Sequence, residues 1–369
     1  MQIKDVVRCM DEWAQPSLQE SYDNAGLLTG NPYGECSGIL VSLDCTEEII
    51  EEAIARNCNM VIAHHPVIFK ALKKITGKNY VERTLIKAIK SDIAIFAIHT
   101  NLDNIITGVS AKMAGLLGVK NFNILAPSDS NLRRLSVYVP TDHVTVVSEA
   151  MFQAGAGRIG NYSECSFKVE GRGSFKPEAG SNPFTGEQGR RSETPETRVE
   201  LVFPAYIEEK VVGAMKQAHP YEEVAFGIFE MKNPNEREGA GVIGNFDTPL
   251  SETALLALLA KTFGTPVIRH SPLSARKIHK IAICGGSGSF LTGKAIAAGA
   301  DAFITADLKY HEFFDAEDKI LLADIGHFES EQFTIDLIFD KLTANFTNFA
   351  VLKTGVSTNP VRYFSGKDA

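Results

Sequence analysis

A chain of 369 residues, 44% apolar and 22% charged, can bury the cores of two ordinary domains and has the balance of a globular protein. A net charge of -8 argues against a broad nucleic-acid footprint. No apolar run reaches the length of a bilayer span, and residues 1–7 carry no signal-peptide core, so a cytoplasmic location away from membranes is expected. The six cysteines, at 9, 36, 45, 58, 165 and 284, have neither zinc-finger nor C-x-x-C spacing, and reduced thiols are the simplest account.

Ile3, Val6, Val7, Met10 and Trp13 recur at helical spacing, and Pro16 closes that helix. Residues 39–43 read as a strand, and Thr46 caps the following helix with Glu47 and Glu48 in its first turn. Residues 59–63 form the next apolar strand, residues 81–90 a helix, and residues 93–98 another strand. Strands alternating with helices at this spacing predict βαβ units and a largely parallel sheet. The texture then changes. Strands are expected at 135–140, 162–169, 198–203 and 224–229, with helices at 144–154 and 207–218. Residues 171–198, rich in Gly, Pro, Ser and charge, are expected to be a loop or hairpin tip. This β-α-β-β-α-β order is the ferredoxin-like plan. After residue 241 the α/β texture returns, with strands at 278–284, 302–305 and 320–324 and a final helix ending near residue 345. The expected architecture is therefore α/β. Residues 1–130 and 236–369 form a discontinuous, pseudo-symmetric two-half domain with mostly parallel sheets. Residues 131–235 form an inserted ferredoxin-like domain.

In such sheets, sites form outside the carboxyl ends of the strands. His64 and His65 leave one strand end and stop at Pro66; His99 and Asp103 leave another; His327 and Glu331 follow a third. His327 and Glu331, spaced i, i+4, share one helix face. Each cluster alone has a plain alternative: a polar loop, a helix cap, a solvated helix start. Together, three imidazoles and two carboxylates make a nitrogen/oxygen site suited to Zn, Mn, Fe or Co. Two such ions about 3.5–4 Å apart can share a carboxylate. Asp103 and Glu331 are the bridging candidates, with His64 facing one ion and His65 and His327 on the other or shared between the two. His99 is either a ligand-orienting partner or an acid/base. Residues 288–295 imitate a phosphate-binding loop but place Ala295 where a hydroxyl should hold magnesium. The turn from Gly285 to Ser289 is read either as a tight strand-to-helix connection or as an anion cradle, with Ser287 and Ser289 adding hydroxyls. Lys309, Tyr310 and His311 are candidates for binding an anionic substrate, and His219-Pro220-Tyr221 for a small ligand or metal. A helix start and a turn are their plain readings.

Five motifs carry a resemblance: Ser21-Tyr22-Asp23-Asn24-Ala25-Gly26-Leu27, Ala63-His64-His65-Pro66, His99-Thr100-Asn101-Leu102-Asp103, residues Thr305 to His311, and residues Asp324 to Glu331. With them the chain resembles the GTP cyclohydrolase I type 2 homologue family, hexameric proteins with a dinuclear metal centre. The resemblance implies two divalent metal ions held by His64, His65, Asp103, His327 and Glu331. It also implies a toroidal homohexamer of two stacked trimers, and a PII/CutA-like insertion in the middle of the chain. By its name it implies a hydrolase that opens the purine ring of GTP with loss of formate; a phosphoesterase would use the same site chemistry. The alternative is a non-catalytic metal-binding or regulatory hexamer whose inserted domain senses a small ligand.

Overall fold

Four-residue strands with no exposed side chain set the architecture. Ile39–Ser42, Met60–Ala63 and Ala94–Ala97 are buried on both faces, which suits a sheet covered on both sides. The computed structural model describes residues 1–129 and 131–364. The chain divides into two units, Met1–Ala126 with Arg237–Ala369, and Pro127–Glu236; the sequence reading placed the breaks at 131 and 235. The class is mixed α/β, with three sheets among the described residues.

The first unit has two of them. One runs in the order Gly26–Thr29, Ala94–Ala97, Met60–Ala63, Ile39–Ser42, Val351–Lys353. All its neighbours are parallel except Gly26–Thr29, which lies antiparallel on Ala94–Ala97. The helix Glu47–Ala55 between its strands starts where expected, with the Thr46 hydroxyl accepting from the Ile49 N–H. The second sheet runs Arg269–His270, Leu321–Asp324, Ala302–Ala306, Lys277–Ser287, Asn235–Ser251, Lys120–Ser128. Its three inner strands are parallel, while Arg269–His270 and Asn235–Ser251 pair antiparallel. The parallel character expected from sequence thus belongs to the sheet centres, and antiparallel strands flank them.

Two of those flanking strands were not legible. Asn235–Ser251 contains Gly239, Gly241, Gly244 and Pro249, which read as breakers. Its glycines answer to close approach: a Cβ on Gly244 would lie 2.7 Å from Val119 Cγ1 and 3.0 Å from the Lys120 carbonyl. Gly241 has φ +65°, a left-handed conformation that favours glycine. Lys120–Ser128 has an exposed first half and so shows no continuous apolar run.

The second unit is a four-stranded antiparallel sheet in the order Phe167–Phe175, Ser192–Pro204, Leu132–Pro140, Phe226–Glu230. Helices Val144–Gln153 and Glu208–Ala218 bury Val147, Met151, Val211 and Met215 against Val137, Val139, Val199 and Leu201. Its elements follow one another as β-α-β-β-α-β. The strand expected at 162–169 lies downstream, at Phe167–Phe175, and Ile159 and Tyr162 bridge each other in a turn before it. Residues 171–198 form most of a hairpin whose strands meet at Phe175 and Ser192. Phe167–Phe175 has no fully buried residue, so apolar alternation could not reveal it.

Phe303 is wholly buried on the central Ala302–Ala306 strand. Phe303→Ala removes a ring the surroundings cannot replace and should cost ~3–5 kcal/mol, read as a lower denaturation midpoint; a loss below ~1 kcal/mol would contradict this packing.

Candidate metal centre

His64 and His65 continue the pairing of the Met60–Ala63 strand for two residues. The His64 N–H donates to the Ser42 carbonyl (3.3 Å) and the His65 N–H to that of Leu43 (2.9 Å). Adjacent residues on an extended strand point apart, yet here the chain bends and the ring centroids lie only 4.9 Å from each other. Each ring is pinned from behind. His64 Nδ1 lies 2.7 Å from the Ile98 carbonyl, which can only accept, so Nδ1 carries the proton and Nε2 keeps a bare lone pair. His65 Nδ1 lies 2.8 Å from Asp44 Oδ1, and His327 Nδ1 2.7 Å from Asp307 Oδ2.

Three strand ends and two short helices meet here. Asp103 ends the one-turn helix Thr100–Asp103, just past Ala94–Ala97. His327 and Glu331 are the ends of the helix His327–Glu331, which follows Leu321–Asp324 through Gly326. Gly326 has φ +91°, a conformation that favours glycine. Glu331 is buried and divides its two oxygens. Oε1 lies 3.8 Å from His64 Nε2, which is 3.7 Å from Asp103 Oδ1. Oε2 lies 2.9 Å from His65 Nε2 and 3.0 Å from His327 Nε2. Glu331 therefore belongs to two clusters, His64–Asp103–Glu331 and His65–His327–Glu331, in each of which the offered atoms lie within 4.8 Å of one another. A Cβ on Gly286 would stand 2.3 Å from Glu331 Oε1, so this position holds the carboxylate in place only as glycine.

The cluster fits a metal. His64 Nε2 and Asp103 Oδ1 are buried and make no hydrogen bond, and both are acceptors. Two acceptors aimed at each other inside a protein are costly unless a proton or a cation lies between them. Imidazoles whose far nitrogens are held by a carboxylate or carbonyl are what metal sites use to orient ligands. These five residues could hold metal; Asp44 and Asp307 orient two of them, and the sequence reading did not assign either that task. Position alone could have raised Asp44, since it follows the Ile39–Ser42 strand beside the His64 strand.

Electrostatics agree. Burial first, and the Glu331 carboxylate second, push Asp103 up to about 7. Burial opposes the charge on Glu331, but His327 and His65 hold it well below the usual carboxylate range. Burial likewise works against His65, yet Asp44 and Glu331 raise it to about 10; for His327, Asp307 and Glu331 overcome burial and raise it to about 11. His99 Nδ1 lies 2.7 Å from Asp23 Oδ1, and its ring is edge-on to His64 and His65 at 5.3 and 5.4 Å. Asp23 is fully buried at its side chain and also accepts from the Thr100 N–H at 3.0 Å. All of this opens on a cavity of about 1360 Å³, with Tyr22, Phe69, Tyr80 and Phe290 among its walls.

Other sequence candidates lie elsewhere. The Gly285 and Gly286 N–H groups donate to the hydroxyls of Ser110 (3.3 Å) and Ser330 (3.0 Å), so these two are not free to cradle an anion. The Ser287 hydroxyl donates to Asp307. Lys309, Tyr310 and His311 are exposed at the start of the turn of helix Tyr310–Ala316 and do not line the cavity. His219, in the second unit, spends both ring nitrogens on the Tyr138 carbonyl and the Tyr221 N–H.

Fold and site together describe a mixed α/β protein with a partly buried histidine and carboxylate cluster able to hold metal. The chain belongs to the Duf34/NIF3 (NGG1p interacting factor 3) family, whose model matches residues 1–360. It is 38% identical over 324 residues to the GTP cyclohydrolase 1 type 2 homolog of Halalkalibacterium halodurans, covering 87% of each chain. It is 34% identical to that of Bacillus subtilis over 98% of each. Among solved structures it is similar to a Bacillus cereus protein related to NIF3, with a TM-score of 0.87 and 32% identity over 99% of each chain. No described helix is long and apolar enough to cross a membrane.

Because folding raises the pKa of His65 and His327, the metal-free protein gains stability from these contacts below their ordinary pKa of about 6.5. That gain is lost as pH climbs past about 10. The expected signature is imidazolium C2 resonances from this pair persisting at pH 8 in metal-free protein; ordinary titration of both rings would contradict the geometry.

Proposed function

We propose that the cluster holds two divalent metal ions, one on His64 and Asp103, the other on His65 and His327, with Glu331 reaching both. The observation that carries this reading is the division of Glu331: Oε1 toward one pair, Oε2 toward the other. Nitrogen and oxygen ligands in this mixture suit Zn, Mn, Fe or Co. Bound there, the ions would supply Lewis acidity and a more acidic water, the chemistry of a hydrolase.

The remaining groups fit that class. Asp23 holds the His99 ring with Nδ1 toward itself, which leaves Nε2 on the cavity side to give or take a proton. Burial of His64 and Glu331 keeps water from competing with the ligands. The names of the relatives support GTP as the substrate, with opening of the purine ring and release of formate. The aromatic walls of the cavity suit a planar base.

We also read the two sheets of the first unit as related halves, and the second unit as an inserted ferredoxin-like domain of the PII/CutA kind, on the strength of its β-α-β-β-α-β order. The assembly we propose is a toroidal homohexamer, working in the cytoplasm.

Replacing Glu331 with Gln should drop bound metal from about two equivalents per chain to one or fewer by elemental analysis, and unchanged stoichiometry would remove Glu331 from the site. Metal-replete protein should release formate from GTP, and chelation should abolish it. Protein that retains its metal and releases no formate would favour a non-catalytic role.

A further inference from the structure

The second unit contains a cavity of its own, of about 790 Å³. It lies on the face of the sheet opposite the helices: Glu196 and Arg198 line it, while Val199 and Leu201, the next inward residues of the same strand, pack in the core. Three aromatic rings stand in its wall. Phe175 and Phe184 flank Tyr221, with centroids 6.1 and 6.0 Å from it and planes tilted by 56° and 47°. Phe184 leaves 55% of its surface exposed although the His143 ring stands edge-on to it at 5.4 Å.

Glu196 is only 8% exposed, and its Oε1 accepts from the Tyr221 hydroxyl at 2.9 Å. Position 173 is glycine on the neighbouring strand, and a Cβ there would come within 2.0 Å of Glu196 Oε2. The sheet thus makes room for this carboxylate. It has no cationic partner among the ion pairs of the described residues. Every cation lining the cavity is engaged elsewhere: Arg172 with Glu193 (3.3 Å), Lys176 with Glu178 (3.5 Å), Arg198 with Glu200 (3.4 Å). His219, next to Tyr221, uses one ring nitrogen as donor and the other as acceptor, the pattern of a neutral imidazole.

Buried carboxylates are normally paired. An aromatic cage beside an uncompensated carboxylate is the arrangement that recognises an organic cation, because ring faces and carboxylate both attract positive charge while the rings shed its apolar substituents from water. We propose that this cavity binds a small organic ammonium ion, with Glu196 as its counter-ion and Phe175, Phe184 and Tyr221 as its cage. The site is separate from the metal cluster and does not depend on the function proposed for it.

Calorimetric titration of the full-length, metal-replete protein with choline and with butylammonium tests this. At least one is expected to bind saturably, with ~10-fold weaker binding of choline's neutral carbon analogue if choline is the ligand. Glu196→Gln should weaken the ammonium ion by ~10-fold or more, and Phe184→Leu, at an exposed position where folding is not at stake, should weaken it severalfold while keeping apolar bulk. Metal content should stay unchanged in both variants. Failure of both ammonium ions to bind, equal binding of the neutral analogue, or full affinity in Phe184→Leu would overturn the assignment. A Glu196→Gln protein that melts like the parent and binds like it would do the same.

Discussion

The first unit depends on a conflict between acceptors. His64 Nε2 lies 3.7 Å from Asp103 Oδ1 and 3.8 Å from Glu331 Oε1 across a buried gap, and it cannot supply a proton there because the Ile98 carbonyl already takes it. Low-dielectric surroundings make such an arrangement expensive. Protons or cations must compensate it. On the other side of Glu331 they are protons in the metal-free state, since His65 and His327 are both raised far above the ordinary imidazole value. Metal uptake by those nitrogens then requires that protons leave, so affinity and pH are linked.

The folding around the cluster is arranged to tolerate that cost. The ligands leave fully buried strands: Met60–Ala63, Ala94–Ala97 and Leu321–Asp324 expose no side chain. Rigid strands fix where the rings begin, and carboxylates behind them fix where the rings point. Asp44 is itself held by the Thr358 hydroxyl, so the chain segment after the last strand helps to orient His65. Gly286 and Gly326 serve the same end by absence of a side chain: the first lets Glu331 lie against backbone, the second turns the chain into the His327 helix.

The second unit has a different imbalance. There one carboxylate, Glu196, is buried beside aromatic rings without a positive partner among the described residues, on a sheet whose other face carries an ordinary apolar core. A protein can leave such a charge uncompensated only if something outside the polypeptide balances it, or at a cost in stability.

Much of this was legible in one dimension. The alternation of apolar runs with helical periods located the inner strands, because strands buried on both faces must be continuously apolar. His64, His65, Asp103, His327 and Glu331 could be nominated because residues at strand ends have a known place to go. The strand Asn235–Ser251 was hidden and the edge strand Phe167–Phe175 was placed too early, since half-exposed faces and several glycines erase the period that betrays a strand. The roles of Asp307 and Glu196 were hidden, and Asp44 had only its place after a strand to suggest it. An acidic residue near a strand end is common, and what distinguishes these is a partner, or the lack of one, contributed by segments 20 to 25 positions away. Local pattern determined which residues were available; only the tertiary structure decided which lone pairs would face each other, because that depends on distances across the fold and not along the chain.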